Sequence, residues 1–479
     1  MIMKNLRNIF KLIALLVVPV LAFSSCIEDS MSSSPSDQPT FSTDTVRLGN
    51  LFTLDASPTK SFIVYNRHDK GINISRIGFA DDQGSHFRMN VDGLSGREFH
   101  NVEIRAKDSI YVFVEATLPE NGRNMAVDLL AHIEFQTNGV SNKLPVKATG
   151  RDVTRLRGNT RYDSDTRLSA DKPYQVFDSL VVEEGVTLTI PAGAELFFHD
   201  DARIVVHGTL NVEGTAEAAV SMTGDRFGFV AASIPYEIMS GQWRGIEFTP
   251  TSRANNISHA TIRNSAEGLR LDHVQSDDAA PALRIINSQV RNTKGYVIEA
   301  IHSNVEAAGC ELTDASMGIV CLTGGNHLFN HCTFANYYLF TALGGPAVQF
   351  VHVNADDAVE GDDAALPYVS ALISNSIIYG NGSELSHGEL EETDIYLQNC
   401  LLKSSGENDE HFIDCLWDKD PLYFTDREAY LFDYRLHDDS PAFGAGNPSL
   451  TLPATASDAF GTPRDLTAPA LGAYERQPE

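Results

Sequence analysis

The sequence predicts an all-β protein in which a β-sandwich precedes a right-handed parallel β-helix, a single-stranded solenoid. Two observations predict the helical part. Residues 180–215 contain five short apolar runs rich in β-branched residues, separated by corners of one to five residues. Such corners do not suit hairpins that close on two-residue turns, so the chain turns and continues in the same sense. Farther along, similar segments recur about every 22 residues, which fits one turn, or rung, of three short strands.

The first 25 residues predict a signal peptide. Three cations precede an uncharged run from Leu12 to Phe23, which has the length of a signal-peptide core and is too short for an ordinary membrane-spanning helix. Cys26 follows Phe23-Ser24-Ser25, and this segment resembles a bacterial lipoprotein signal, apart from Phe23, where an aliphatic residue is usual. The resemblance implies an acyl chain on Cys26 as the only membrane anchor. The alternative is ordinary cleavage, with Ala22 and Ser24 as the small pair.

Residues 26–60 predict a lipidated flexible tether. Glu28, Asp29 and the serine-rich run to Ser36 resemble the surface-export tag of Bacteroidota lipoproteins, although a plain flexible linker has a similar composition. We therefore expect an exported lipoprotein at the outer membrane or cell surface.

Residues 61–150 predict the β-sandwich, because short alternating strands recur there between turn residues. The strand DSIYVFVEA and the closing segment IEFQTNGVSNKLPVKATG resemble parts of the Ig-like sandwiches of bacterial envelope proteins. This resemblance implies a spacer or an interaction platform and supplies no catalytic residue.

Residues 151–178 are predicted to be a linker and cap, and residues 179–419 the β-helix. The repeated segment has a polar or glycine position, a small residue, a variable residue and a large apolar residue. Its six copies begin 28, 22, 22, 44 and 24 residues apart. The 44-residue spacing predicts one intervening rung, hidden by the insertion at 355–367. The copies begin at His259, Asn287, Gly309, His331, Asn375 and Asn399.

Stacked rungs place like positions in columns about 4.8 Å apart. The polar position is then expected at a corner, where Asn tolerates left-handed φ or bonds along the stack. Cys310 and Cys332 share the small position with Ala and Ser in other copies. We therefore interpret them as buried packing residues rather than as a disulfide or metal pair.

Residues 420–479 are predicted to close the helix. They contain Asp420-Pro421-Leu422, Ser440-Pro441-Ala442 and Leu471-Gly472-Ala473-Tyr474, an ending that resembles those of secreted β-helix proteins of the pectate-lyase-like superfamily. The resemblance covers residues 160–479 and implies an architecture rather than a reaction.

The net charge of −28 disfavours nucleic acid and bare anionic membrane as partners. It also disfavours a polyuronate, unless a cation bridges the two. We expect a monomer that binds a polysaccharide or a surface protein.

An acidic loop is the best candidate for a cation site, because Ca²⁺ takes six to eight oxygen ligands. The alternative is a solvated acidic loop. The candidate ligands are Asp356, Asp357, Glu360, Asp362 and Asp363.

Four residues are candidates for ligand binding. Trp243 would stack on a sugar, although packing at a corner is the other interpretation. His387, Glu389 and Glu391 belong to a second loop about one rung from the acidic insertion. A shallow acidic groove for a neutral or basic sugar follows as a hypothesis.

No catalytic residue is predicted. The pectate-lyase-like resemblance implies glycosidase motifs, an Asn-Thr-Asp, a paired Asp and a Gly-His-Gly, or Asp columns in lyases, and the sequence lacks these sets. We expect a non-catalytic binding protein that uses the β-helix face and loops. The alternatives are a polysaccharide lyase or glycoside hydrolase acting in a β-helix groove, and a structural envelope protein.

Overall fold

The computed structural model describes residues 30–230, 234–274, 276, 280–351 and 368–477. These residues form an all-β structure with two compact units. Unit 1 comprises residues 30–121 and 126–151, and unit 2 comprises residues 122–125 and the described residues from 152 onward.

Unit 1 contains two five-stranded sheets, in which neighbouring strands are antiparallel except for the parallel pair β2 and β10. In spatial order, the first sheet is β1 (Thr40–Phe41), β3 (Lys60–Tyr65), β8 (Ser109–Ala116), β5 (Phe87–Val91) and β6 (Leu94–Gly96). The second is β2 (Val46–Phe52), β10 (Val140–Arg151), β9 (Val127–Thr137), β4 (Ile72–Phe79) and β7 (Glu98–Ile104). A short 3₁₀ helix, Asp82–His86, precedes β5.

The two sheets share one apolar core, as a sandwich requires. Phe62 of the first sheet meets Phe135 of the second edge-on, with 6.3 Å between ring centroids. In β8, Val112 and Val114 are buried, whereas Phe113 between them is exposed, the period-two pattern of a half-buried strand.

Strands β1 and β2 lie inside the segment that the sequence predicted to be a tether. The alternation in β2 explains them, because Val46 and Leu48 are buried while Arg47 is exposed. The polar residues around this short pattern concealed it, and the tether assignment is wrong for these strands.

Unit 2 contains three parallel sheets of ten, nine and ten strands, which the chain visits in rotation. Sheet A consists of β11 (Thr154–Leu156), β14 (Tyr174–Val176), β17 (Glu195–Phe198), β20 (Val220–Gly224), β25 (Ala260–Arg263), β28 (Gln289–Thr293), β31 (Glu311–Ala315), β34 (Thr333–Asn336), β37 (Ile377–Gly380) and β40 (Leu401–Leu402). Sheet B consists of β12 (Thr160–Tyr162), β15 (Ser179–Val182), β18 (Arg203–Val206), β23 (Gly245–Phe248), β26 (Leu269–Asp272), β29 (Tyr296–Ile301), β32 (Gly318–Thr323), β35 (Val348–Val351) and β38 (Leu385–Ser386).

Sheet C consists of β13 (Thr166–Arg167), β16 (Thr187–Pro191), β19 (Thr209–Glu213), β24 (Asn255–Ser258), β27 (Leu283–Ile286), β30 (Val305–Ala308), β33 (Gly325–Asn330), β36 (Val369–Ser374), β39 (Ile395–Gln398) and β41 (Phe412–Ile413). A small antiparallel pair, β21 (Phe229–Val230) and β22 (Ile234–Pro235), interrupts the rotation. Short 3₁₀ helices span Tyr236–Ile238, Pro448–Leu450 and Pro453–Thr455. Inward side chains of all three sheets form one apolar cluster. This arrangement is compatible with the β-helix that the repeat predicts.

The strand register confirms the predicted apolar column on sheet A and corrects one spacing. Phe334 pairs directly with Ile378, so the two segments that are 44 residues apart lie on neighbouring strands. The predicted intervening rung is therefore wrong. In the sequence, the insertion at 355–367 lies between β35 and β36. The paired apolar residues are Ile262, Val290, Leu312, Phe334, Ile378 and Leu402, all buried.

The polar position lies at a left-handed corner, as the sequence predicted. His259, Asn287, His331, Asn375 and Asn399 have φ between 45° and 52°, a region that Asn tolerates better than most residues. Their side chains also bond along the stack. The Asn375 amide lies 3.1 Å from His331 Nε2, and the Asn287 amide 3.4 Å from His259 Nε2.

The cysteines of the small column are free and buried, in agreement with their interpretation as packing residues. The Cys310 thiol donates to the Ala308 carbonyl, 3.3 Å away. Cys415, which the repeat did not include, extends the column, because the neighbouring Leu416 bridges to Leu401 beside Cys400. Burial raises the pKa of the Cys310 and Cys400 thiols well above the ordinary value, so these thiols stay neutral.

Candidate functional site

Among the described acids of unit 2, Asp314 at the end of β31 has the pKa that departs most from its ordinary value. Its Oδ1 accepts hydrogen bonds from the Tyr434 hydroxyl at 2.6 Å and from the Tyr337 backbone N–H at 3.0 Å. Its Oδ2 has no hydrogen-bond partner among the described residues. Burial raises the pKa of Asp314 to about 7, and the bond from Tyr434 opposes that rise.

A second buried acid on the same strand belongs to the same network. Glu311 accepts from the Tyr474 hydroxyl, which in turn accepts from the Gln289 amide at 2.7 Å. The Arg291 guanidinium lies 3.5 Å from Glu311 Oε1. These contacts join β28 and β31 to the C-terminal segment, and burial raises the pKa of Tyr434 and of Tyr474.

This network is closed to ligands. Glu311, Asp314, Tyr434 and Tyr474 are each at most 3% exposed. Perturbed acids often mark functional sites, but a substrate needs access, and the C-terminal segment occupies the space above these carboxyls. The network therefore fastens that segment to sheet A.

The outward face of sheet B is open and carries a ladder of charges. Register places Glu247, Arg270, Glu299, Cys321 and Gln349 on successive strands. Glu247 pairs with Arg203 at 3.2 Å, and Glu299 pairs with Arg270 at 3.3 Å. Exposed pairs of this kind stabilise a protein little, but they neutralise the first half of the ladder.

The second half of the ladder is polar and without cations. The Tyr296 hydroxyl donates to Gln349 Oε1 at 3.3 Å, above the largely buried Cys321. Burial, aided by the Glu299 carboxylate, raises the pKa of the Cys321 thiol to about 11. A thiol this weakly acidic is not a nucleophile at neutral pH.

Trp243 is not a ligand-binding residue. It is 1% exposed and stacks on Phe198, with ring centroids 4.1 Å apart. Its Nε1 donates to the Arg263 carbonyl at 2.8 Å. The indole fills the core of unit 2, so no ring face remains for a sugar, and the predicted ligand-binding role is wrong.

His387, Glu389 and Glu391 lie together on one exposed connection, residues 387–394, between β38 and β39. His387 Nδ1 contacts the Gly388 carbonyl at 2.7 Å. The structure therefore places these three predicted residues in one loop. The predicted calcium ligands Asp356, Asp357, Glu360, Asp362 and Asp363 lie outside the described residues.

Strand pairing shows that the two connections rich in Asp and Glu run between the same two sheets. Residues 352–368 connect β35 to β36, and residues 387–394 connect β38 to β39. Because β35 pairs with β38 and β36 with β39, both connections link the same two sheets on neighbouring rungs. We call residues 387–394 the acidic edge.

One signal in the sequence was missed by the motif search. No Lys or Arg occurs between Lys294 and Lys403, whereas 14 Asp and Glu residues occur in those 108 positions. Residues 352–368 and the acidic edge both fall in this span. Counting charge signs in windows, rather than searching for motifs, would have found it.

Within the described ranges, no group of three or more His, Cys, Asp or Glu side chains is placed to hold a metal ion. No helix in the same ranges is long and apolar enough to cross a bilayer.

No family model matches the chain, and no curated protein matches it. Solved structures match it, and three of them, each with a TM-score of 0.17, cover about a quarter of the chain. One is a protein of unknown function from Porphyromonas gingivalis W83, 8% identical over 26% of this chain and 60% of that chain. Another is the ASH/PapD-like domain of human CEP192, 12% identical over 27% of this chain and 94% of that chain. A third is a family 123 glycoside hydrolase from Clostridium perfringens, 10% identical over 28% of this chain and 26% of that chain.

Proposed function

We propose that the chain is an exported surface lipoprotein that binds a glycan or a protein without catalysis, through the acidic edge of unit 2. In this proposal residues 1–25 are the signal peptide and Cys26 carries the acyl anchor. Unit 1 is an Ig-like sandwich, and unit 2 is a right-handed parallel β-helix of the pectate-lyase-like type. The rotation of the chain through three parallel sheets supports the helical assignment.

The observation that carries the binding function is the 108-residue span without Lys or Arg. In a folded domain, interspersed cations normally compensate surface acids, as Arg203 and Arg270 do on the first half of the sheet B ladder. The acids of this span outnumber its cations, and Glu391, Glu392 and Asp394 of the acidic edge are exposed. This excess produces a negative potential at the edge. Such a potential steers partners that carry amines and repels anionic ones.

The acidic edge is accessible. Glu389, Glu391, Glu392 and Asp394 are all exposed, and Glu392 adopts a left-handed φ of 62°. A neutral or amine-bearing sugar, or a basic protein segment, fits this edge better than a uronate does.

Binding tests this function. Full-length protein, purified in detergent, would be titrated with chitosan oligosaccharides, with a Lys-rich peptide and with neutral glycans, at low and high salt. We expect binding to one of the amine-bearing probes that weakens as salt rises. The double variant Glu389→Gln/Glu391→Gln should weaken it roughly three- to tenfold.

The matched control is Glu184→Gln/Glu217→Gln, which removes two exposed acids from the first rungs and should leave affinity unchanged. Equal loss in both double variants would contradict a localised site. Product formation from any polysaccharide, followed by reducing ends or unsaturated-uronate absorbance and lost in Glu391→Ala, would replace the binding function by an enzymatic one.

Anchoring has a separate test. The Cys26→Ala protein should move from the membrane fraction to the soluble fraction of the exporting cell. Unchanged fractionation would rule out the acyl anchor and leave the binding result standing.

A further inference from the structure

Unit 1 contains a groove of about 590 Å³ on the outer face of its first sheet. Phe113, Arg88 and Arg97 are exposed along it, and the buried residues Met89 and Val114 also contribute to its lining. A volume of this size is typical of small-ligand sites.

The strand register fixes the order of side chains across the groove. Phe113 lies opposite Asn90, and Asn90 lies opposite Ser95, with 3.1 Å between the Asn90 amide and the Ser95 hydroxyl. Two residues along the strands, and so on the same face, Arg88 lies opposite Glu115. Arg97 follows Gly96, the partner of Met89, so it lies beside Arg88.

The charges in the groove do not cancel. Arg88 pairs with Glu115 at 3.2 Å, and Glu115 is the only acid along the lining. Arg97 donates from Nε to the Phe87 carbonyl at 3.3 Å and has no acidic partner within the described ranges. Two guanidinium groups against one carboxylate leave the groove with one uncompensated positive charge.

The groove also offers an aromatic surface. Phe113 is 39% exposed, and Tyr111 beside it is 54% exposed. Their rings are nearly parallel, 22° apart, with centroids separated by 6.2 Å. Flat exposed aromatic faces pack against the apolar C–H face of a sugar ring, and the neighbouring Asn90 and Ser95 supply hydrogen-bonding groups.

The surrounding charge permits an anionic ligand here but not in unit 2. Residues 30–121 and 126–151 carry 12 Lys or Arg and 14 Asp or Glu, whereas residues 122–125 and 152–479 together carry 21 and 48. Unit 1 is therefore nearly neutral and does not repel a carboxylate.

A peptide strand is a poorer occupant than a sugar. The edge strand beside the groove, β6, has only three residues, which is too short for the main-chain ladder that a bound peptide strand needs. The ligand must then be held by side chains.

We propose that this groove binds a carboxylated oligosaccharide, with a sugar ring on Phe113 and the carboxylate held by the Arg97 guanidinium. Arginine donates two parallel hydrogen bonds to a carboxylate, which lysine does not. This site is distinct from the acidic edge and takes ligands of the opposite charge.

Isothermal titration calorimetry of the full-length protein in detergent tests the site. The titrants are trigalacturonate, sialyllactose, neutral galactotriose and a hexaglutamate peptide. We expect at least one carboxylated sugar to bind at least about tenfold more tightly than galactotriose. Arg97→Gln should reduce that affinity to the neutral level, and Phe113→Ala should weaken it roughly tenfold.

The control is Arg47→Gln, which removes one exposed cation from the other sheet of unit 1 and should leave the affinity unchanged. The proposal is overturned by no binding of either carboxylated sugar, by equal binding of galactotriose, or by preference for hexaglutamate. Unchanged binding in Arg97→Gln also overturns it.

Discussion

The Tyr434 hydroxyl donates a 2.6 Å hydrogen bond to Asp314, although 120 residues separate them in the sequence. Both groups are buried. The bond joins the C-terminal segment to the end of β31 in sheet A. A buried acceptor that loses its donor keeps the full cost of leaving water.

Tyr434→Phe removes that donor and leaves the shape of the ring. We expect the free energy of unfolding of unit 2 to fall by about 1–3 kcal/mol, measured by urea denaturation at neutral pH. The control is Tyr430→Phe, since the Tyr430 side chain makes no hydrogen bond among the described residues. Equal effects of the two substitutions would contradict the role of the Asp314 bond.

Asp314 should give stability a specific pH dependence. Its pKa is about 7 in the folded protein, against an ordinary 3.8, so the folded state binds the extra proton between these values. The contribution of Asp314 to stability is then largest below about pH 4 and falls as pH rises toward 7. The groups that face Asp314 are Glu311, Arg291, Tyr337 and Tyr434.

Asp314→Asn removes this titration. Relative to the unchanged protein, the variant should gain stability between pH 4 and pH 7, by up to about 4 kcal/mol. The amide introduces a donor where Oδ2 has no partner, so the two pH profiles, rather than one value, are compared. If the stability of both proteins changed with pH in parallel, the pKa of Asp314 would not be raised by folding.

His331 should give stability the opposite pH dependence. Its Nδ1 faces the Ala470 carbonyl at 3.1 Å, and its Nε2 faces the Thr451 hydroxyl at 2.9 Å and the Asn375 amide at 3.1 Å. Burial, together with the nearby Arg464 charge, lowers the pKa of His331 well below 6.5. The neutral ring, with the proton on Nδ1, satisfies the carbonyl and leaves Nε2 as an acceptor.

The stabilisation that depends on the neutral His331 ring is therefore fully present above about pH 6.5. It is lost as pH falls below that value, by no more than about 1.4 kcal/mol per pH unit. His331→Asn keeps a side chain that other rungs use at this corner and removes the titration. We expect thermal denaturation of the variant to be less sensitive to acid. A variant profile as steep as that of the unchanged protein would assign the acid sensitivity elsewhere, for example to His327, whose pKa burial lowers to about 4.

Features that recur on every rung were predictable from the sequence, whereas contacts that occur once were not. The Phe334 column and the left-handed Asn375 corner were predictable, because each rung imposes the same steric demand at the same position. The bond between Tyr434 and Asp314 was not, since the C-terminal segment docks once and leaves no period. Motif searching also passed over the acidic edge, because long-range charge balance is a property of a whole span rather than of any residue pair.

The buried thiols provide the last prediction. Cys310, Cys321, Cys332, Cys400 and Cys415 are free and at most 9% exposed. Buried thiols react slowly with disulfide reagents, because the reagent cannot reach the sulfur. Native protein with the Cys26→Ala substitution should therefore release almost no thionitrobenzoate from Ellman's reagent, whereas the same protein in guanidinium should release five equivalents.

Cys310→Ser extends the test to packing. Ser288 holds the equivalent position one rung earlier, and its hydroxyl donates to the Ile286 carbonyl at 2.8 Å, as the Cys310 thiol does to Ala308. Serine should cost about 1 kcal/mol or less in the free energy of unfolding, whereas Cys310→Leu should cost about 1–3 kcal/mol by overpacking the column. Rapid native reaction of Cys310, or equal costs for Ser and Leu, would show that this position is not a tightly packed interior site.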